Sequence, residues 1–183
     1  MRLNDPLVTS FIYEGDEYEI NLAFDLVLDA FDVLDDNELR NYEKAEINIA
    51  LLLDIDVKGV EAVELWNYIY NEFIHVEENQ IIEYDLKGNP MPVQDEDEGP
   101  SYSLSQDAEY IYAGFMQTYQ MDLYELQGKL HWNKFRALLG GLDVNSKFMR
   151  VVQIRQAELP SGKGSEGDRE NLVKLKKVFA LKD

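Results

Sequence analysis

The chain has 183 residues, 45% of them hydrophobic, with a formal net charge of -19 at pH 7 and no cysteine. This length fits one domain, or a domain with a small subdomain, and supplies enough apolar side chains for a real core. The lack of cysteine excludes disulfides and thiolate metal sites, and His75 and His131 are too few to build a tetrahedral zinc site alone.

Charge is distributed unevenly. Residues 1–100 hold 26 acidic and 5 basic side chains, whereas residues 101–183 hold 10 and 12. The acidic front half repels phosphate and anionic lipid, which argues against nucleic acid and membrane as front-half partners and leaves a basic patch on the rear half open. The opening MRLNDPLVTS lacks a secretory apolar run, and no apolar stretch approaches the roughly 20 residues that span a bilayer. A soluble intracellular protein is the expectation.

In chain order, Phe11-Ile12-Tyr13 and Glu17-Tyr18-Glu19-Ile20 flank a Gly15-containing turn and read as a β-hairpin. From Asn21, a candidate cap, the period becomes helical, with Ala23, Leu26, Val27, Ala30, Val33 and Leu34 on one face. Tyr42, Ala45, Ile49, Leu52 and Leu53 predict a second helix, and Val63, Trp66, Ile69, Tyr70 and Phe73 a third over 60–74. A short break at 56–59 favours antiparallel neighbours.

Between residues 77 and 100 the pattern fails. Ile81, Ile82 and Tyr84 suggest a brief strand, and the acidic run at 95–100 reads as a solvated, mobile linker more readily than as a docking site for a basic partner. Ser103 and Gln106 then have capping-box spacing ahead of a helix bearing Ala108, Ile111, Tyr112, Phe115, Met116 and Tyr119. Asp122 predicts a short capped helix over 123–126, and another helix runs over 130–139 to Gly140-Gly141. Further helices are expected over 146–159 and 169–181, the last grouping Leu172, Leu175, Val178 and Phe179.

The resulting expectation is a mainly α fold: a multi-helix, bundle-like domain with a small N-terminal β-hairpin. Residues 1–76 form the hairpin and acidic helical region, 77–103 a loop or linker, and 104–183 a C-terminal helical region packed with the first as one domain. The expected core comprises Leu26, Leu53, Trp66, Phe73, Ile111, Phe115, Phe135, Leu139, Val152 and Leu175.

Chemical motifs are sparse. Gly162-Lys163-Gly164-Ser165 lacks the spacing and preceding strand of a phosphate loop. Carboxylate pairs such as Asp35/Asp36 and Asp95/Asp97 belong to no calcium-loop pattern, and acidic residues are too frequent for proximity in sequence to specify glycoside hydrolysis. No enzyme activity, metal or cofactor is expected. The segment His131-Trp132-Asn133-Lys134-Phe135-Arg136 reads as a core helix with a cationic edge, or as an aromatic anchor for a protein partner. Nucleotide stacking fits the acidic remainder less well. Tyr112, Tyr119, Trp132, Lys134, Arg136 and Arg150 are the candidate protein-binding residues.

These same residues carry a resemblance. Gln106-Asp107-Ala108, Ile111-Tyr112-Ala113, Phe115, Tyr119, Met121-Asp122-Leu123, Leu130-His131-Trp132 and Lys134 to Leu139 with Gly141-Leu142 together resemble the bacteriophage gp-fifteen family of tail-module proteins. The likeness is strong over about 50 residues and looser along nearly the whole chain. Asn133 stands where that pattern usually has a second tryptophan, and Gln120 where it usually has glycine. The resemblance implies a tail-assembly chaperone or scaffold that binds the phage tape-measure protein in the host cytoplasm, alongside a second chaperone or tail-tube protein. The alternative is a structural tail adaptor retained in the virion.

Overall fold

The computed structural model describes residues 3–75, 101–161 and 165–182. Among them the fold is mainly helical, with seven α-helices, one π-helical turn and an N-terminal hairpin. The strand expected at Ile81, Ile82 and Tyr84, the acidic run at 95–100 and Gly162-Lys163-Gly164 lie outside the described residues. The chain divides into two compact units: Met1–Asn79 with Tyr124–Ala137, and Gln80–Leu123 with Leu138–Asp183.

In the first unit, β1 (Ser10–Tyr13) pairs antiparallel with β2 (Asp16–Glu19), placing Phe11 opposite Tyr18 and Tyr13 opposite Asp16. Both turn residues have positive φ, Glu14 at 52° and Gly15 at 97°. Paired positive φ values are what a two-residue hairpin needs to follow the twist of its strands. Alternation buries Phe11 and exposes Ile12.

Helix α1 (Phe24–Asp35) begins without the expected asparagine cap. The Asn21 carboxamide instead accepts from the Ala23 N–H at 3.1 Å, one step ahead of the helix. Backbone pairing anchors the start: the Phe24 N–H donates to the Leu130 carbonyl at 2.9 Å, and the Trp132 N–H to Leu22 at 2.7 Å. Those bonds satisfy groups that a helix terminus otherwise leaves open.

Helix α2 (Asn41–Leu53) packs against both α1 and α3 (Gly59–Ile69). At its start, Glu43 accepts from the Arg40 N–H at 2.9 Å and from the guanidinium at 2.8 Å. These side-chain and backbone hydrogen bonds hold the Glu43 carboxyl down at about 2. Helix α3 continues into a π-helical turn, Tyr70–Ile74, where the His75 N–H reaches the Tyr70 carbonyl at 2.6 Å. Val27, Ala30, Ala45, Ile49, Leu52, Leu65 and Ile69 are buried, while Leu26 and Phe73 from the expected core are half-buried.

In the second unit, a turn at 104–107 leads into α4 (Ala108–Tyr119). The Ser103 hydroxyl accepts from the Gln106 N–H at 3.2 Å, as the capping-box spacing requires. The reciprocal bond comes from Asp107, whose carboxylate accepts the Ser103 N–H at 3.0 Å. Gln106 instead exchanges two 2.8 Å hydrogen bonds with the backbone of Lys182.

Helix α4 ends at Gln120, with φ 56° and ψ 35°. A side chain at this left-handed C-terminal position is strained where glycine is not. Gln120→Gly should therefore stabilise the fold by about 0.5–1 kcal/mol. A rise in urea midpoint at unchanged slope checks this; a fall shows that the Gln120 side chain contributes more than its conformation costs.

Residues 123–129 form successive turns where a short helix was expected. Leu126 accepts from the N–H groups of both Lys129 and Leu130, and Gly128 has φ 68°, which ends any helical course. The next helices are α5 (Trp132–Gly140) and α6 (Lys147–Gln156), the latter capped by the Ser146 hydroxyl accepting from the Met149 N–H at 3.3 Å. Ile111, Phe115, Leu142, Phe148, Val151 and Val152 are buried. Gly114 lets Leu142 lie against α4, since an added Cβ would stand 3.0 Å from a Leu142 methyl.

Helix α7 (Glu166–Val178) corrects one core expectation. It has no buried residue; Leu175 is 42% exposed and Val178 72%, while Leu172 and Phe179 are half-buried. Three-and-four spacing identifies residues on one face but not how deeply that face is covered. Among the described residues, only one edge of the helix is packed.

Candidate protein-binding surface

Positions 132, 135 and 139 share one side of α5 and are all buried. Trp132 is 4% exposed, and its indole N–H donates to the Ile74 carbonyl at 3.2 Å, closing the π-helical turn. Its ring stacks with Phe135 at 5.7 Å and meets Phe31 edge-on at 5.6 Å; Phe135 in turn stacks with Phe24 at 4.9 Å. The Arg136 guanidinium lies 6.0 Å from the Trp132 ring centre, at the outer range of a cation–π contact. Trp132 therefore lies in the interior, with Arg136 at its edge.

His131 is also used internally. Its Nδ1 accepts from the Asn133 N–H at 3.1 Å, which sets the proton on Nε2 for donation to the Val8 carbonyl at 3.2 Å. Burial, opposed by the Val8 bond and aided by nearby Lys134, lowers its pKa and favours the neutral ring.

The other candidate residues fall in different settings. Lys134, in the first unit with Trp132 and Arg136, is exposed. In the second unit, Arg150 is exposed and Tyr112 half-buried. Tyr119 is half-buried, donates its hydroxyl to the Leu138 carbonyl at 3.0 Å and sets its ring edge-on to Phe115 at 5.8 Å. Trp132 and Arg136 are thus brought together, while Lys134 and Arg150 offer the most accessible cations of the set.

Sequence reasoning missed an aromatic group in the first unit. Phe11 stacks with Tyr18 at 5.5 Å and contacts Tyr68 and Phe73 at 5.7 and 5.2 Å, and Tyr13 meets Tyr68 at 5.0 Å. Tyr13, Tyr18 and Tyr68 are half-buried. A signal was present: Glu61, Glu64 and Tyr68 are spaced by three and four, forming a polar-aromatic stripe on α3 beside its apolar one.

Residues 3–181 match the family described as Bacteriophage Gp15 protein. The chain belongs to this family. No curated protein and no solved structure matches it. Membership in the Gp15 family suggests a tail-module or chaperone role. Among the described residues, no group of three or more metal-binding side chains is assembled, and no helix is long and apolar enough to cross a membrane.

Proposed function

We propose that this protein is a phage tail-assembly chaperone or scaffold, which binds the tape-measure protein in the host cytoplasm and shields its apolar surface while the tail forms. The family match along nearly the whole chain carries this reading. The helical fold supports it, because helix faces and the grooves between them receive amphipathic helical segments. The charge of -19 supports it too, since strong like charge keeps an assembly factor soluble while its client exposes apolar surface. A second chaperone or tail-tube protein would join the complex, and no cofactor enters the role.

Lys134 and Arg150 are the first contacts to test, because both are exposed cations whose reversal leaves the core intact. Copurification with newly made tape-measure protein should recover the wild-type chain. Lys134→Glu and Arg150→Glu, made separately, should each reduce capture by about threefold to tenfold at physiological salt. Unchanged capture in both, with cross-links mapping elsewhere, moves the contact off these cations. Absence of capture, together with recovery of this protein from purified virions, replaces the chaperone with a retained tail adaptor.

A further inference from the structure

The first unit presents a surface in which aromatic rings and carboxylates alternate. Hairpin pairing puts Tyr13, Asp16 and Tyr18 on the same side as the buried Phe11, where Asp16 is exposed and the two tyrosines are half-buried, and Tyr68 joins Tyr13 from α3. Glu61 and Glu64 precede Tyr68 on the same helical stripe and are exposed. The Tyr13 phenol is held above its ordinary pKa, first by desolvation and then by Glu14, Glu64, Tyr18 and Glu61, which places those carboxylates in its field. Tyrosine faces ringed by carboxylates suit a lysine ammonium, which gains from ring and charge together.

Helix α7 offers the complementary chemistry. Its packed edge carries Leu172, Lys176 and Phe179; on the wheel, Val173, Lys174, Lys177 and Val178 fall on the other side. Val173 and Val178 are 45% and 72% exposed, and both lysines are exposed. Among the described residues, Lys174 forms an exposed pair with Glu170 at 2.9 Å, the kind of contact that is readily exchanged. Among the described residues, two valines flank two ammonium groups on this side, with Glu170 between the lysines, and all five are exposed.

We propose that the outward face of α7 docks on the hairpin and α3 surface of a second copy of this chain. Lys174 and Lys177 meet Tyr13, Tyr68, Glu61 and Glu64, while Val173 and Val178 cover the ring edges. The charge asymmetry of the chain favours this pairing, because the acidic excess lies in residues 1–100. The overall charge of -19 opposes association at long range, but at about 0.15 M salt such repulsion is screened beyond roughly 8 Å and the local contact remains. Two different surfaces meet, so the contact is heterologous and adds copies head to tail. A row of copies along a long tape-measure chain follows if the function proposed above holds; the contact itself stands without it.

Sedimentation velocity of the full chain over about 1–100 µM, at about 0.15 M salt, should show concentration-dependent growth beyond the monomer. Lys174→Glu with Lys177→Glu should weaken self-association at least about tenfold, and so should Glu61→Lys with Glu64→Lys. Mixing these two variants should restore it, because each then meets the opposite charge. Circular dichroism establishes that both variants are folded. A wild-type chain that stays monomeric throughout overturns the proposal, as do variants that associate like wild type, a mixture that fails to recover, or a Lys177–Glu64 cross-link confined to monomer. Tape-measure capture by a strictly monomeric chain sinks this contact and leaves the proposed function standing; self-association without capture does the reverse.

Discussion

Trp132→Ala should lower the unfolding free energy by about 3–5 kcal/mol, the range for removing a large aromatic from a packed interior. The indole is 4% exposed and lies between Phe31 and Phe135, so truncation opens a space bordered by rings already held by their own packing. Phe135 also stacks on Phe24, which limits its freedom to move inward. The loss of the indole N–H leaves the Ile74 carbonyl without that partner at the end of the π-helical turn, a contribution of about 1 kcal/mol on its own. Packing therefore dominates, and Trp132→Phe, which retains a ring, should cost about 1–2 kcal/mol. Urea denaturation of both variants gives these values directly. If alanine costs less than about 1 kcal/mol yet abolishes partner capture, Trp132 acts as an interface anchor and its inward setting does not persist in solution.

The hairpin was readable in the sequence because Glu14-Gly15 sits between two short β-prone runs, and the observed positive φ values are those such a turn requires. The stripes of α1 to α4 were readable because their apolar residues repeat at the helical period and are covered deeply enough for that pattern to be selected. The π-helical turn was not readable: Ile69, Tyr70 and Phe73 satisfy three-and-four spacing whether the backbone bond spans four residues or, as from His75 to Tyr70, five. At 123–129 the apolar residues Leu123 and Leu126 suggested a helix, but one turn supplies too few bonds to offset nucleation, and Gly128 turns the chain away. In α7 the period was correct and the depth was not, because depth depends on what lies opposite. The same limit hid the hairpin and α3 ring cluster, in which Tyr68 lies 57 positions from Phe11 and 55 from Tyr13 in sequence and meets them only in the fold. For the candidate contacts, composition nominated Trp132 and Arg136, but direction was set by Phe24, Phe31 and Ile74.

Arg155→Met should cost about 3–5 kcal/mol, because it strips a buried carboxylate of its charge partner. Asp107 is 2% exposed. Arg155 donates to it through both terminal nitrogens, at 2.6 and 2.8 Å, and also reaches the carbonyls of Phe179 at 2.6 Å and Ser101 at 3.2 Å. The pair joins residues 48 positions apart and secures the end of α7, which has no buried residue of its own. A buried ion pair is weak evidence of net stabilisation, since desolvation offsets much of the attraction, but removing one partner exposes that desolvation cost in full. Asp107→Leu with Arg155→Met should therefore cost less than the sum of the single changes, by at least about 1 kcal/mol. The pH dependence separates charge from packing. Burial pushes the Asp107 pKa up, but the Arg155 hydrogen bonds and the Ser103 N–H outweigh it and hold the folded value below the ordinary 3.8. Its stabilising contribution is thus fully present above the unfolded value and is lost as pH falls through the depressed folded one. In Arg155→Met the raising effect of burial is opposed only by Ser103, so the carboxyl takes up its proton at higher pH and relieves the uncompensated charge. The stability gap between wild type and Arg155→Met should narrow from about pH 7 to about pH 4, and a constant gap would assign the loss to packing alone. Amide exchange should place the first local loss in α7, because Arg155→Met also releases the Phe179 carbonyl and leaves that helix held chiefly by Leu172, Phe179 and the Gln106–Lys182 bonds.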